Sequence, residues 1–437
     1  MQQASASDAA GDFAALSHFA GFDWAKDKHH VAVVELSGRR VLEMGIEDTA
    51  EGWADLRRKL AAFPRLAVAI ETSCGPAVER LLEMGLAVYP LNPKAAQRYR
   101  DRKSPAGAKD DALDAWSFAD ALRTDGQGWR RLSPLDQATH ELRILCRDEI
   151  TLIAQRTALV NQLRAALHEY YPVALEAFDD WTTPPAWRFA VAFPTPAELA
   201  AAGKRKWEKF LHANKLYRPQ TQQTRLELFA KAMQFVNPNA AVTAAKSLLA
   251  VALAEQLLTL QRQMDKYRQR IQKLFADHPD HDLFGSLPGA GEKLAPRLLA
   301  ELGTDRDTFA TAQGLQCYAG TAPVTRQSGH RHAVFVRRAC NKILRATVHL
   351  WADLSRPKCA WAQAYYQKKK EQGMSHAAAL RCLGQRWLKI LWRMWKDRVG
   401  YDEARHTLDQ VKHGSWVVRL LPQPVPAAEA RPLTTKV

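Results

Sequence analysis

A chain of 437 residues has room for about three domains at ~150 residues each, so burying a core poses no difficulty. Its 47% hydrophobic and 25% charged residues exclude a disordered or collagen-like chain. Lys and Arg number 62 against 46 Asp and Glu, a formal charge of +16 that points to a polyanionic partner, since each neutralised phosphate releases condensed counterions.

No long uninterrupted apolar run and no lipidation motif is visible, so no membrane partner is expected. The N-terminal stretch "MQQASASDAAGD" has no basic segment followed by an apolar one, so it does not read as a secretory signal, and a cytoplasmic protein is expected. The six cysteines, Cys74, Cys146, Cys317, Cys340, Cys359 and Cys382, are scattered, without a C-x-x-C or a histidine at zinc spacing. They read as reduced packing residues.

Residues 18–130 alternate between strand and helix. "HFAGFDWAKDKHHVAVVEL" reads as two strands around a turn and "RVLEMGIED" as a third. Then come the helix "AEGWADLRRKLAAF", the strand "LAVAIE", the helix "AVERLLEMG", the strand "LAVYPLN" and a helix beginning "KDDALDA". Three strands followed by alternating helix and strand suggest an α/β sheet of ribonuclease H-like order, which periodicity alone does not separate from other α/β folds.

Residues 131–280 read as helical. "ELRILCRDEITLIAQRTALVNQLRAALHEYYP" is one long amphipathic helix with a basic face, followed by a Trp- and Pro-rich stretch near Trp181 to Trp187 that reads only as insertion or linker. Leu253, Leu257, Leu260, Met264, Tyr267, Ile271 and Leu274 then alternate spacings of four and three. That seam suits a left-handed coiled coil, with a bundle helix packed inside its own chain as the alternative.

Residues 281–405 form a third, mostly helical region. It opens on "LPGAGEKLAPRLLAELG", similar to a helix-hairpin-helix whose Gly-rich turn offers N–H groups to phosphate. Trp387, Trp392 and Trp395 have helical spacing and read as core. Residues 406–437 read as an unstructured tail.

Four acids stand out. Asp23 ends the first apolar strand, Glu71 ends "LAVAIE", and Asp111 and Asp114 sit three apart at a helix start, on one face of it. Parallel strands would bring Asp23 and Glu71 to one sheet edge, and the helix with Asp111 and Asp114 would close over it. Carboxylates held that close raise one another's pKa unless a cation sits among them, which suits Mg²⁺, with Mn²⁺ as the alternative. Taken singly, an Asp at a helix start also reads as a cap or dipole partner, Glu71 as a cap for the helix that begins near Pro76, and Asp110 as an extra carboxylate that solvates the helix start.

The segments "GFDWAKDKHHVA", "AIETS", "KDDALDA", "RTALVNQLRAAL", "LPGAGEKLAPRLLAELG" and "YAGTAPVTRQSGHRHAVFVRRACNKILR" fall in the order seen in transposases of the insertion sequence 110 family, which the chain resembles over nearly all its length. The residues before His18 and the Trp-rich stretch lie outside the matched motifs. The resemblance implies a RuvC-like domain, a coiled coil and a C-terminal transposase domain. It maps the family's acidic quartet onto Asp23, Glu71, Asp111 and Asp114, with Lys109 and Ala115 completing K-x-D-x-x-D-A, and its Q-S-G serine onto Ser328.

By that resemblance the quartet binds Mg²⁺, Ser328 is the nucleophile that forms a 5′-phosphoserine link, and a structured bridge RNA pairs with donor and target DNA. It also implies a homodimer that pairs into a tetramer. Base pairing would then choose the sequence while the protein grips backbone and shape.

A serine hydroxyl needs a base or metal and nearby cations to attack phosphate. His330 or His332 is a candidate base, and "TRQSGH" alone also reads as a turn with a serine cap. Arg326, His330, Arg331, Arg337, Arg338, Asn341, Lys342 and Arg345 read as a nucleic-acid-gripping set, joined by Arg156 and Arg164 of the long basic helix. Two other functions fit the same residues: a RuvC-like metal-dependent endonuclease that uses water, and a non-catalytic RNA- or DNA-binding protein.

Overall fold

The computed structural model describes residues 13–104, 110–176, 178–217 and 239–417, together with 224, 227–228, 230–231 and 419. The chain divides into two compact units, each discontinuous in sequence. One comprises Met1–Asp136, Thr304–Arg345 and Met374–Asp397; the other comprises Gln137–Gly303, Ala346–Gly373 and Arg398–Val437.

The first unit is built on a mixed sheet. Strands β1 (His18–Asp23), β2 (Lys28–Glu35) and β3 (Arg40–Glu47) pair antiparallel in succession. Helix α1 (Ala50–Leu60), capped by the Thr49 hydroxyl, leads to β4 (Leu66–Ile70), and α2 (Pro76–Glu83) leads to β5 (Ala87–Pro90). Both crossovers return parallel, giving the order β3-β2-β1-β4-β5. Helices α3 (Pro93–Lys103) and α4 (Asp111–Asp125) follow. This order is the one expected from three strands followed by alternation, and it is consistent with a ribonuclease H-like domain.

The period-2 alternation of the strands sorts their side chains between two covered faces. Ala20, Phe22, Val31, Val33, Val68 and Ile70 meet Trp53, Leu56 and Leu60 of α1 and Val78 and Leu81 of α2. Phe19, Ala67 and Ala69 meet Phe118, Ala119 and Leu122 of α4 and Ala96 of α3. Phe22 and Phe118 are fully buried, each contributing about 2–3 kcal/mol by area. By the same alternation Gly21 and Asp23 lie on the α4 face.

The second unit centres on two long helices, α5 (Gln137–Tyr170) and, after α6 (Pro184–Ala192) and α7 (Pro196–Ala213), α8 (Ala240–Ala276). Their partners descend along α5 as they climb along α8, so the two run antiparallel. Glu141 pairs with Arg270, Glu149 with Arg268, Arg156 with Gln261, and Glu169 with Lys246. Of the heptad seam, Leu253, Leu257, Met264 and Ile271 are buried and Leu260, Tyr267 and Leu274 half-buried. The seam is used within the chain, which is the bundle alternative.

By length and composition α8 could cross a membrane, with a mean hydropathy of 1.4 over 18 residues. Ala250, Leu253, Ala254 and Leu257 of that helix are buried in a protein core, and 22% of the apolar window is buried in all.

That core explains the Trp-rich stretch, which is no linker. Trp181, Trp187, Trp207, Phe189 and Phe193 are buried among Tyr170 and Tyr171, with Phe189 and Phe193 each meeting Trp207 edge to face. Trp187 Nε1 donates to the Trp181 carbonyl at 2.7 Å.

Helix α9 (Gly291–Leu302) supplies the other side of a buried ionic network. Glu149 accepts from Arg268 Nε at 3.1 Å and Arg297 Nη2 at 2.7 Å, and Arg147 forks onto Glu301 at 2.9 and 3.0 Å. In the Gly-rich turn before α9, Gly289 has φ 77°, and a Cβ there would stand 2.5 Å from the Leu354 carbonyl oxygen. Its freedom serves the protein's own packing.

The last part of the chain adds α10 (Ala312–Tyr318), the hairpin strands β6 (Val324–Ser328) and β7 (Arg331–Phe335), α11 (Lys342–Ser355), α12 (Ala360–Glu371), α13 (His376–Asp397) and α14 (Glu403–Lys412). Trp387 and Trp395 are fully buried, and the half-buried Trp392 donates Nε1 to the Phe309 carbonyl at 2.9 Å. Helix α14 corrects the start of the expected tail: Asp402 caps it by accepting from Arg405 N–H at 3.0 Å, and Trp416 stacks on Tyr365. Beyond 417 the tail lies outside the described residues, apart from 419.

Candidate active site

Phe22 of β1 and Ile70 of the parallel β4 are register partners, so Asp23 and Glu71 follow side by side at the C-terminal ends of adjacent strands. Ligands of α/β sheets bind at that edge. Helix α4 starts there. Asp110 accepts from Ala112 N–H at 3.3 Å as its N-cap, Asp111 is exposed, and Asp114, one turn in, is 2% exposed. Gly21 sets the depth: a Cβ there would lie 1.9 Å from the Ala115 oxygen and 2.6 Å from the Ala119 nitrogen, so only a bare backbone lets α4 lie this close to β1. The same approach holds Asp114 beside the strand ends.

The acids act on one another. Asp23 is pushed up to about 7, first by burial, then by the charges of Asp114, Asp111 and Glu71, with Arg100 opposing. Arg100, from α3, places Nη1 3.2 Å from Glu71 Oε2 and 3.2 Å from Asp114 Oδ2. Sequence reasoning missed this residue; its signal was a basic helix, "QRYRDRK", lying between β5 and the two helical acids. Six residues further along α4, Asp120 takes Lys103 Nζ at 2.5 Å and Arg123 Nη2 at 2.6 Å. Burial alone would raise Asp120, but these two cations hold it below the usual carboxylate range.

Among the described residues no three Asp, Glu, His or Cys side chains gather tightly enough to hold a metal ion, and Arg100 is the cation between Glu71 and Asp114. The donor set nevertheless fits a hard divalent cation: oxygen ligands from three elements, carrying more negative charge than one guanidinium offsets, with Asp23 raised as the sign of that excess. Lys109 lies outside the described residues.

The raised carboxyl makes the metal-free protein pH-sensitive. Folded Asp23 keeps its proton up to about 7, whereas the unfolded chain releases it near 3.8. The folded state therefore binds the extra proton between those values, and its stability falls as pH rises through them. Asp23→Asn is expected to flatten that decline in denaturant midpoints measured without metal; an unchanged slope would refute the assignment.

The hairpin carries the other predicted residues. Ser328 ends β6 opposite Arg331, with Gly329 (φ 55°) and His330 as the two-residue loop between them. Ser328, Arg326, His330, Arg331, Arg338 and Lys342 are exposed, and Arg326 lies over the Phe335 ring at 5.0 Å. Arg337 donates to the Ala322 carbonyl at 3.2 Å and Arg345 is half-buried. Asn341 serves the fold, accepting from Leu344 N–H at 3.0 Å at the start of α11 and donating to the Tyr318 hydroxyl at 2.9 Å. Arg164 is exposed, but Arg156 is half-buried, and burial and then Arg268 hold its pKa below the usual guanidinium range. Hairpin and acids belong to the same compact unit.

Known proteins match this sequence. The DEDD transposase family model of IS110 matches residues 20–172, and the model described as transposase IS116/IS110/IS902 family matches 281–367. A relative from Streptomyces coelicolor, "Mini-circle putative transposase for IS117", is 34% identical over 409 residues, 89% of this chain and 96% of its own. A second from that organism, the 43.6 kDa protein of insertion element IS110, is 27% identical over 88% of this chain and 95% of its own. The 42 kDa protein of insertion element IS900 from Mycobacterium paratuberculosis is 29% identical, covering 89% and 98%. With a DEDD domain over its acidic sheet edge and a second transposase segment after it, the chain belongs to the IS110 family of transposases, and is a DNA-recombining enzyme whose acidic domain implies dependence on a divalent metal.

Proposed function

We propose that this transposase excises and inserts a mobile DNA element by serine recombination, guided by a bridge RNA, with Asp23, Glu71, Asp111 and Asp114 holding Mg²⁺. The convergence of those four acids at one sheet edge carries the reading, and the exposed Ser328 in the same compact unit supports the serine role. The Ser328 hydroxyl attacks a phosphodiester phosphorus. The Oγ–P bond forms, the P–O3′ bond breaks, the hydroxyl loses its proton and the leaving 3′ oxygen gains one. A 3′-hydroxyl from the partner strand then reverses the exchange, so no co-reactant is consumed. Bound divalent metal would supply charge stabilisation of the phosphoryl group.

Arg326, His330, Arg331, Arg337, Arg338, Lys342, Arg345 and Arg164 would grip nucleic acid, with the chain acting in the cytoplasm as a homodimer that pairs into a tetramer. The surplus of cations supports a large phosphate footprint. The test uses full-length protein, Mg²⁺, a duplex spanning the DNA beside the gene and RNA transcribed from that flank. The expected product is a covalent protein–DNA adduct whose peptide carries the nucleotide on Ser328. Ser328→Ala should abolish both adduct and strand exchange; cutting that persists without an adduct overturns the serine in favour of water.

A further inference from the structure

We infer that the β6–β7 hairpin has one reactive face, on which Arg331 and Arg326 clamp the phosphate that Ser328 attacks, and that His332 stands on the other. This rests on the serine reading above.

Cross-strand partners in an antiparallel pair point to the same side of the ribbon, and successive pairs alternate sides. The register pairs Val324 with Phe335, Thr325 with Val334, Arg326 with Ala333, Gln327 with His332 and Ser328 with Arg331. One face therefore carries Ser328, Arg331, Arg326 and Phe335; the other carries Gln327, His332, Thr325 and Val334. The Arg326 guanidinium over the Phe335 ring is an independent observation of the first face, since only same-side residues on the diagonal can meet this way.

The loop pins the register. A two-residue connection with positive φ at its first position, Gly329, has the φ pattern of a type II′ turn, whose twist matches the flanking strands. A one-residue slip would move Ser328 to the face of His332.

A directly opposed side chain has its Cβ about 5 Å away. Arg331 thus reaches the phosphate bonded to Ser328 Oγ and can fork two N–H donors onto its non-bridging oxygens, where charge grows during attack. The ring beneath Arg326 holds a second guanidinium along the strand on that side. Neither arginine is ion-paired to a carboxylate among the described residues and both are exposed, so both charges are open to an incoming anion.

The flanking duplex and RNA described above serve as probe, with the rate of adduct formation and the dissociation constant read separately. Arg331→Ala should slow adduct formation ~10²–10³-fold with little change in affinity, Arg326→Ala should slow it less, and Arg331→Lys should recover part of the loss. Thr325→Ala and Gln327→Ala, on the opposite face, should stay near the wild-type rate. A duplex with a neutral methylphosphonate at the reacting position should restore much of the Arg331→Ala rate, because the charge the arginine answers is gone; a merely structural arginine would show no such rescue. Adduct formation by Arg331→Ala at the wild-type rate, or equal losses on both faces, would overturn the inference while leaving the serine intact. An adduct that survives Ser328→Ala would instead overturn the reading beneath it.

Discussion

Asp114→Asn is expected to slow strand exchange by about 10²–10³-fold or more, the scale of losing one main electrostatic group in an active site, without unfolding the protein. Asp114 is buried and shares the Arg100 guanidinium with Glu71, so the uncharged amide keeps the shape while Arg100 keeps one carboxylate. Its charge is also the largest electrostatic cause of the rise at Asp23. The substitution should therefore lower the Asp23 pKa from about 7 toward its ordinary range even as activity falls, two opposite readouts that a packing defect would not produce. Titration of Asp23 by NMR beside a strand-exchange assay checks it. Activity within about threefold of wild type, far short of the loss expected for such a group, would remove Asp114 from the site.

Gly21→Ala should cost about 3 kcal/mol or more, the upper end for overpacking a core. The added methyl would meet the backbone of α4 rather than a side chain that can rotate away, at 1.9 Å from the Ala115 oxygen. Relief requires lifting the helix from β1, which also withdraws Asp114 and exposes Phe118, Ala119 and Leu122. Denaturant midpoints should show the loss, and any folded remainder should lose activity. A variant of wild-type stability would mean that α4 is not seated on β1.

The strand order was legible because each strand is bounded by turn residues and has period-2 or continuous apolar character, and Asp23 and Glu71 were placed by the parallel pairing of β1 and β4. Arg100 was not, because a solvated basic helix and one that sends a single guanidinium into an acidic site have the same composition. The heptad seam of α8 described a stripe but not its partner, and the partner is α5 of the same chain. The Trp-rich stretch showed no period because short helices opening at Pro184 and Pro196 bring its rings together at angles. Asn341 shows the limit at residue level: an amide suited to phosphate is equally suited to a helix start, and here it does the latter.

The antiparallel pair of α5 and α8 has a mechanical consequence. Helix α5 runs 34 residues, about 50 Å at 1.5 Å per residue, and polar bridges join it to α8 at Glu141, Glu149, Arg156 and Glu169. Flexing such a strut midway would break several bridges at once and uncover Glu149 and Arg297. Bending anywhere along their shared length is therefore opposed by several contacts at once, which makes this pair the stiffest line through its unit.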